Sequence, residues 1–204
     1  MRDIRRVGYP DMSERSIRRF DPERKRRIID ACLDVIAERG VAGTSHRVVA
    51  SAADVPLGSM TYHFDGIDDL LHQAFERFAG QAIDRFSRRM AAAADAEEAC
   101  EQVARHIEHD LLDTQQALNI NLELYTLAAR NPAYRDIVDR WMAASRTELE
   151  RFFDPSTATV LDALIEGLTL HRALGRIPQD HRTIREGIRR AAGLDRTTST
   201  GEAA

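Results

Sequence analysis

Between Gly40 and Phe64 the sequence concentrates side chains that can grip a phosphate or read a base edge. Thr44 and Ser45 stand where a hydroxyl can cap a short helix, whose first turn then offers backbone N–H groups to an anion. Arg47 adds a cation in that turn, and Val48, Val49 and Ala52 form the inner face. Ala53-Asp54-Val55 makes a tight corner, and Pro56 opens a second helix of little more than two turns. Met60 and Phe64, four apart, point inward, while Leu57, Gly58, Ser59, Thr61, Tyr62 and His63 face out. Such a pair fits a helix-turn-helix, with the second helix in a DNA major groove and phosphates held at its edges. For Tyr62 and His63 the competing reading is a polar helix surface with an aromatic tucked into a small domain.

Other reactive spacings are scarce. Cys32 and Cys100 each sit singly in a helical pattern, without disulfide pairing or zinc-site spacing, and read as small core residues. His106 and His109, with Asp110 and Asp113 nearby, could place two metal ligands on one helical face. Surface histidines on an acidic helix explain them more simply, so no metal is expected. The chain has no Gly-rich phosphate loop and no nucleophile-base constellation, so neither a cofactor nor enzymatic activity is expected.

The elements that must position these residues read as helices throughout. Apolar residues recur with a period near 3.6 from residue 22 onward, and no alternating β-type run occurs, which predicts an all-α fold of about nine helices. Asp21-Pro22-Glu23 starts the first helix, Gly40 ends it, and its inner face is Ile28, Ile29, Cys32, Leu33, Val35 and Ile36. The stripe Leu71, Phe75, Phe78, Ala82, Phe86, Met90 predicts one long helix from Asp68 to about Ala93. Further helices are expected near 96–113, 115–130, 133–153, 156–175 and 180–192, with breaks at Asn131-Pro132, Asp154-Pro155 and Gly175 to Pro178.

Of 204 residues, 43% are hydrophobic, enough for a sizeable core. The net charge of -4 is unevenly spread: residues 1–66 carry 12 Lys/Arg against 10 Asp/Glu, and residues 1–27 carry ten basic side chains against five acidic ones. A basic N-terminus therefore precedes an acidic body, and binding to phosphate answers to the local field. Residues 1–20 read as a flexible arm, whose Arg2, Arg5, Arg6, Arg15, Arg18 and Arg19 either enter a minor groove or form a solvated tail. Residues 194–204 read as a disordered tail. With no membrane-length apolar run and no secretory signal, a cytoplasmic protein without a membrane partner is expected.

Over residues 22–75 the sequence resembles the TetR family, whose recognition helix carries Gly-[Ser/Thr]-[Leu/Met]-x-x-His-Phe, here Gly58-Ser59-Met60-Thr61-Tyr62-His63-Phe64. The resemblance implies DNA contacts from Thr44, Ser45, Arg47, Leu57, Gly58, Ser59, Thr61, Tyr62 and His63. There are departures: Asp54 stands at a corner that is usually Gly, Leu57 and Ile67 at positions where lysine is common, and Thr61 where Tyr is frequent. Asp tolerates a left-handed corner better than most residues, whereas the lost lysines should flatten the salt dependence of DNA binding unless the arm replaces them.

Behind a DNA-binding domain of residues 21–66, residues 67–193 are expected to bind an effector and dimerise. In the helix 115–130 the polar line Asn119, Glu123, Thr126, Arg130 leaves Asn121 and Tyr125 pointing inward, toward either a ligand or protein partners. Phe78, Trp141, Met142, Ser145 and Phe152 are candidate walls. By resemblance, the helices from Thr157 to Leu174 and His181 to Ala192 pair with twofold mates through Val160, Leu164, Gly167, Leu168 and His171; burial inside one chain is the competing reading. The expected function is a homodimeric repressor, released from a palindromic operator in double-stranded DNA by a small molecule. The alternatives are an activator or ligand-independent regulator and, more distantly, a helical enzyme or carrier.

Overall fold

The computed structural model describes residues 23–176 and 180–194. The arm of residues 1–20, the cap at Asp21-Pro22 and the tail beyond residue 194 lie outside them. Nine α-helices and no strand occur among the described residues: α1 Arg24–Arg39, α2 His46–Ala52, α3 Gly58–His63, α4 Ile67–Met90, α5 Ala96–His109, α6 Gln115–Ala128, α7 Pro132–Leu149, α8 Pro155–Leu174 and α9 His181–Ala191. None is long and apolar enough to cross a membrane.

Local chemistry explains the helix ends. Side chains of Ser45, Asp95, Thr114, Asn131, Asp154 and Asp180 accept hydrogen bonds from the first turns of α2 and α5 to α9, and Pro132 and Pro155 stand where a missing N–H costs nothing. Gly40 stops α1 at φ 68 while its N–H still bonds Ile36 O. A Cβ at Gly40 would fall 2.7 Å from Glu123 Oε1, so α6 packs against this corner.

Two details of the helix-turn-helix depart from expectation. Helix α3 begins at Gly58, because Pro56 and Leu57 only form a lead-in turn, with Ser59 N on Pro56 O and Met60 N on Leu57 O. On α2, Ala52 is exposed, and Val49 and Ala50 are buried together with Ala53 just beyond its end. The inner stripe is thus rotated by one residue, which the small alanines permit.

Two apolar cores share the longer helices. The first joins α1, α2, α3 and Leu70 to Ala79 of α4 with Ile120, Leu124 and Ala128 of α6 and Tyr134, Ile137 and Val138 of α7. The second joins Ala82, Phe86 and Met90 of α4 with α5, Leu118, Leu149, α8 and α9. Each fully buried large side chain, such as Phe75, Ile36 or Leu161, contributes about 1.5–3 kcal/mol. Both cysteines are buried, and burial pushes the Cys32 thiol up to about 12, so it packs as a small apolar group.

At the corner, Asp54 is left-handed at φ 51. Asp54→Val should destabilise the protein by about 1–2 kcal/mol, since a β-branched side chain fits this region worst, whereas Asp54→Asn should be nearly neutral. Urea unfolding followed by circular dichroism measures both, and equal stability of the Val variant would mean the corner is not strained.

Candidate nucleic-acid interface and internal cavity

Helix α3 presents a largely uncharged outward face. Tyr62 is 83% exposed and meets the His63 ring edge-on at 4.8 Å. Partial burial lowers the His63 pKa, and Arg24 and Lys25 of α1 lower it further, so the ring is neutral at pH 7 with one donor and one acceptor nitrogen. Thr61 is exposed and donates its hydroxyl to Gly58 O at 3.3 Å. Leu57 is 50% exposed, Gly58 has open space where a Cβ would be, and Ser59 is half-buried. On α2, Arg47 is exposed and Ser45 caps the helix by accepting from Val48 N at 3.4 Å. Thr44 differs from the rest: it is buried, and its hydroxyl donates to Gly40 O at 2.9 Å, which places it behind the face as a fastener of the turn. Lys25 sits with Nζ 5.6 Å from the Phe64 ring centroid, bringing the charged start of α1 beside α3. Sequence reasoning counted Lys25 only in the basic balance of residues 1–27 and gave it no contact, although its place in the first turn of the helix before the helix-turn-helix was a signal.

A cavity of about 450 Å³ lies among α4 to α8. Tyr125, Trp141, Met142 and Ser145 line it, together with Phe86, His106 and Leu111. Asn121 stands one turn behind Tyr125, 1% exposed, its amide bonded to the phenol. Phe78 does not reach the cavity. It lies on the part of α4 that packs against α1, touching the back of Trp141 at 5.8 Å between ring centroids and facing a separate pocket with Asp30 and Asp34. Phe152 also stays outside, packed against the second core.

The polar lining comes mostly from α7 and α8. Asp162 takes bonds from Ser145 and from Arg146 Nη1, the latter at 3.2 Å, and burial nevertheless raises its pKa. Glu148 pairs with Arg151 at 2.8 Å and with the Ser87 hydroxyl. Glu166 is raised by burial; the Tyr125 hydroxyl bond opposes this and the charge of Asp162 adds to it. Asp162 and Glu166, four apart in the apolar run of α8, were the overlooked signal for an internal site.

His106 corrects the reading of surface histidines. It is 3% exposed, packs at 4.8 Å on Phe86, and turns Nδ1 to Asp110 at 3.2 Å. Burial lowers its pKa, against the pull of Asp110, so the ring is neutral at pH 7. Burial alone would raise Asp110, but bonds from His106 and Arg89 hold its carboxyl well below the usual range. His109 is exposed, its ring 6.5 Å from that of His181, and among the described residues no cluster of three or more His, Cys, Asp and Glu could hold a metal ion.

Helix α8 has two apolar sides. Leu161 and Ile165 enter the second core, whereas Val160 is 48% and Leu174 60% exposed. His171 is exposed, Leu164, Gly167 and Leu168 are half-buried, and a Cβ at Gly167 would meet nothing within 4 Å. Thr159, Ala163 and Gly167 of this outer side also form a rim of the cavity.

Residues 28–74 match the family model of bacterial regulatory proteins of the tetR family, and residues 94–194 that of the tetracyclin repressor-like C-terminal domain. The chain is similar to SCO7518 of Streptomyces coelicolor A3(2), described as a transcriptional regulator, with 53% identity over 84% of this chain and 99% of that one and a TM-score of 0.79. The multidrug binding protein EbrR, in complex with imidazole, is 38% identical over 88% of this chain and 95% of its own, with a TM-score of 0.73. Other EbrR crystals contain ethidium, proflavin or malachite green. CymR of Pseudomonas putida, an HTH-type transcriptional regulator, is 30% identical over 128 residues, which is 63% of this chain and 62% of CymR, so the match spans less than two thirds of that relative. Matched by family models in both its halves and by regulators of the same architecture, the chain belongs to the TetR family of helix-turn-helix transcriptional regulators and is not an enzyme.

Proposed function

We propose that the protein is a cytoplasmic, homodimeric repressor, released from a palindromic operator when a small organic molecule enters the cavity among α4 to α8. The observation that carries this reading is the double attachment of α6. One side brings Tyr125 to the cavity, while the other holds α1 through Asn119 Nδ2 on Ala37 O at 2.9 Å and Gln116 Nε2 on Asp34 Oδ1 at 2.5 Å. A ligand that displaces α6 therefore acts on the helix against which α2 and α3 are packed. It releases DNA only to the extent that it binds the two arrangements with different affinity, commonly about 1–3 kcal/mol of coupling. EbrR, similar over nearly its whole length, holds small aromatic molecules, which supports the same use of this fold here.

In this proposal residues 21–66 read DNA and residues 67–193 bind the effector and the second subunit. Ser45, Arg47, Leu57, Gly58, Ser59, Thr61, Tyr62 and His63 form the contact surface. Val160, Leu164, Gly167, Leu168 and His171 meet their twofold mates, which would cover the apolar outer side of α8. A dimer is required because one six-residue reading helix makes too few base contacts for a specific site.

Operator duplexes selected from random DNA supply the substrate for the tests. Tyr62→Ala and His63→Ala should each weaken binding by about 1–3 kcal/mol at fixed salt, with helical content unchanged. Mobility-shift titrations read this, and wild-type affinity in both variants would remove α3 from the interface. The double variant Val160→Arg, Leu174→Arg changes residues exposed in a single chain, so it should fold normally yet sediment as a monomer with weak operator binding. A dimer of normal affinity would move the subunit contact to another surface.

A further inference from the structure

We infer that the cavity accepts a flat organic monocation, with the Glu166 carboxylate as its counter-charge and the rings of Phe86 and Trp141 as its walls. The inference rests on the effector reading of this cavity and names the chemistry of what enters it.

The argument is one of unequal compensation among the acids of the lining. Asp162 has Arg146 at 3.2 Å and the Ser145 hydroxyl, and Glu148 has Arg151 at 2.8 Å. Glu166 has the Tyr125 hydroxyl and no cation, and its buried Oε1 has no hydrogen-bond partner among the described residues. Three carboxylates thus line the cavity against the single guanidinium of Arg146, with His106 held neutral by burial. A buried carboxylate without a cation is costly, and the raised pKa of Glu166 expresses that cost.

The neighbours of Glu166 hold it in place without neutralising it. The buried Asn121 amide donates to the Tyr125 oxygen, so the phenol proton is directed to Glu166. A neutral ligand would leave this carboxylate as it is, and an anion would be repelled by it. An inorganic cation lacks the ligand cluster it needs among the described residues. A cation spread over an aromatic frame satisfies both requirements, since it removes the charge deficit and its faces stack on Trp141 and Phe86. The cavity volume of about 450 Å³ suits such a molecule.

Trp141 is the sole tryptophan and lines the cavity, so its emission reports occupancy directly. Two probes of one shape separate charge from bulk: 10-methylacridinium, a permanent cation, and acridine, neutral at about pH 8, where glutamates are ionised. Wild-type protein is expected to bind the cation about ten-fold or more tightly than acridine, and Glu166→Gln to lose that preference while holding acridine within about two-fold. Asp162→Asn should cost the cation less, because Arg146 already answers that charge. Equal affinity of the wild type for the two probes, or an undiminished preference in Glu166→Gln, overturns the cation inference and leaves the effector reading standing. Failure of both probes to quench Trp141 in the wild type overturns both. The wild-type comparison decides the matter even if Glu166→Gln folds poorly.

Discussion

The constraint on which the rest of this structure depends is that the helix-turn-helix cannot bury its own apolar surface. Helices α2 and α3 are short, and the inner residues of α1 to α3, among them Ile28, Cys32, Ile36, Val49 and Met60, share one core with Leu70 to Ala79 of α4, with Ile120, Leu124 and Ala128 of α6 and with Tyr134 and Ile137 of α7. The reading head is therefore seated on the helices that also wall the cavity. Such shared burial is non-directional and strong, whereas the polar bonds of Asn119 and Gln116 to α1 supply orientation. A small displacement of α6 must repack this seam, because close-packed interiors shift between discrete arrangements more readily than they deform.

The chain leading into α6 is itself held under strain. Leu112 adopts φ 50 although it is not glycine, at a cost of about 1–2 kcal/mol that its burial in the second core offsets. On one side of it, Leu111 lines the cavity and its carbonyl accepts from the Arg172 guanidinium of α8. On the other, Thr114 caps α6. The neighbouring Arg89–Asp110–His106 cluster joins α4 to α5 next to the same turn. Charge is handled differently on the surface, where pairs such as Arg140–Glu76 and Arg190–Glu186 contribute little to stability and much to solvation.

The two proposed binding surfaces follow opposite electrostatic logic. The face of α3 offers a phenol, a hydroxyl and a neutral imidazole, while the nearby positive charge lies on Arg47 and the basic start of α1. Base edges need donors and acceptors in register, which uncharged groups provide without indiscriminate attraction to the backbone. The cavity instead concentrates negative charge inside apolar walls, where a low local dielectric makes each uncompensated group count for more.

Helices, their ends and the outward face of α3 were legible in the sequence, since they rest on local relations: a 3.6-residue period, a cap such as Ser45 or Asp154, a glycine at Gly40, and the run from Gly58 to Phe64. The inward turn of Tyr125 was legible for the same reason. Position along the axis was not, and so Phe78 was grouped with the cavity when it belongs to the seam with α1. His106, periodic with both a wet and a dry face, looked like a surface residue until α4 brought Phe86 against it. Only the tertiary structure decided that, among the described residues, Glu166 meets Tyr125 without a cation while Asp162 meets Arg146. The sequence determines which face of each helix is apolar, but the rotation and depth at which two helices dock is set by the packing of all the others, and that docking chooses which polar groups are paired and which are left alone.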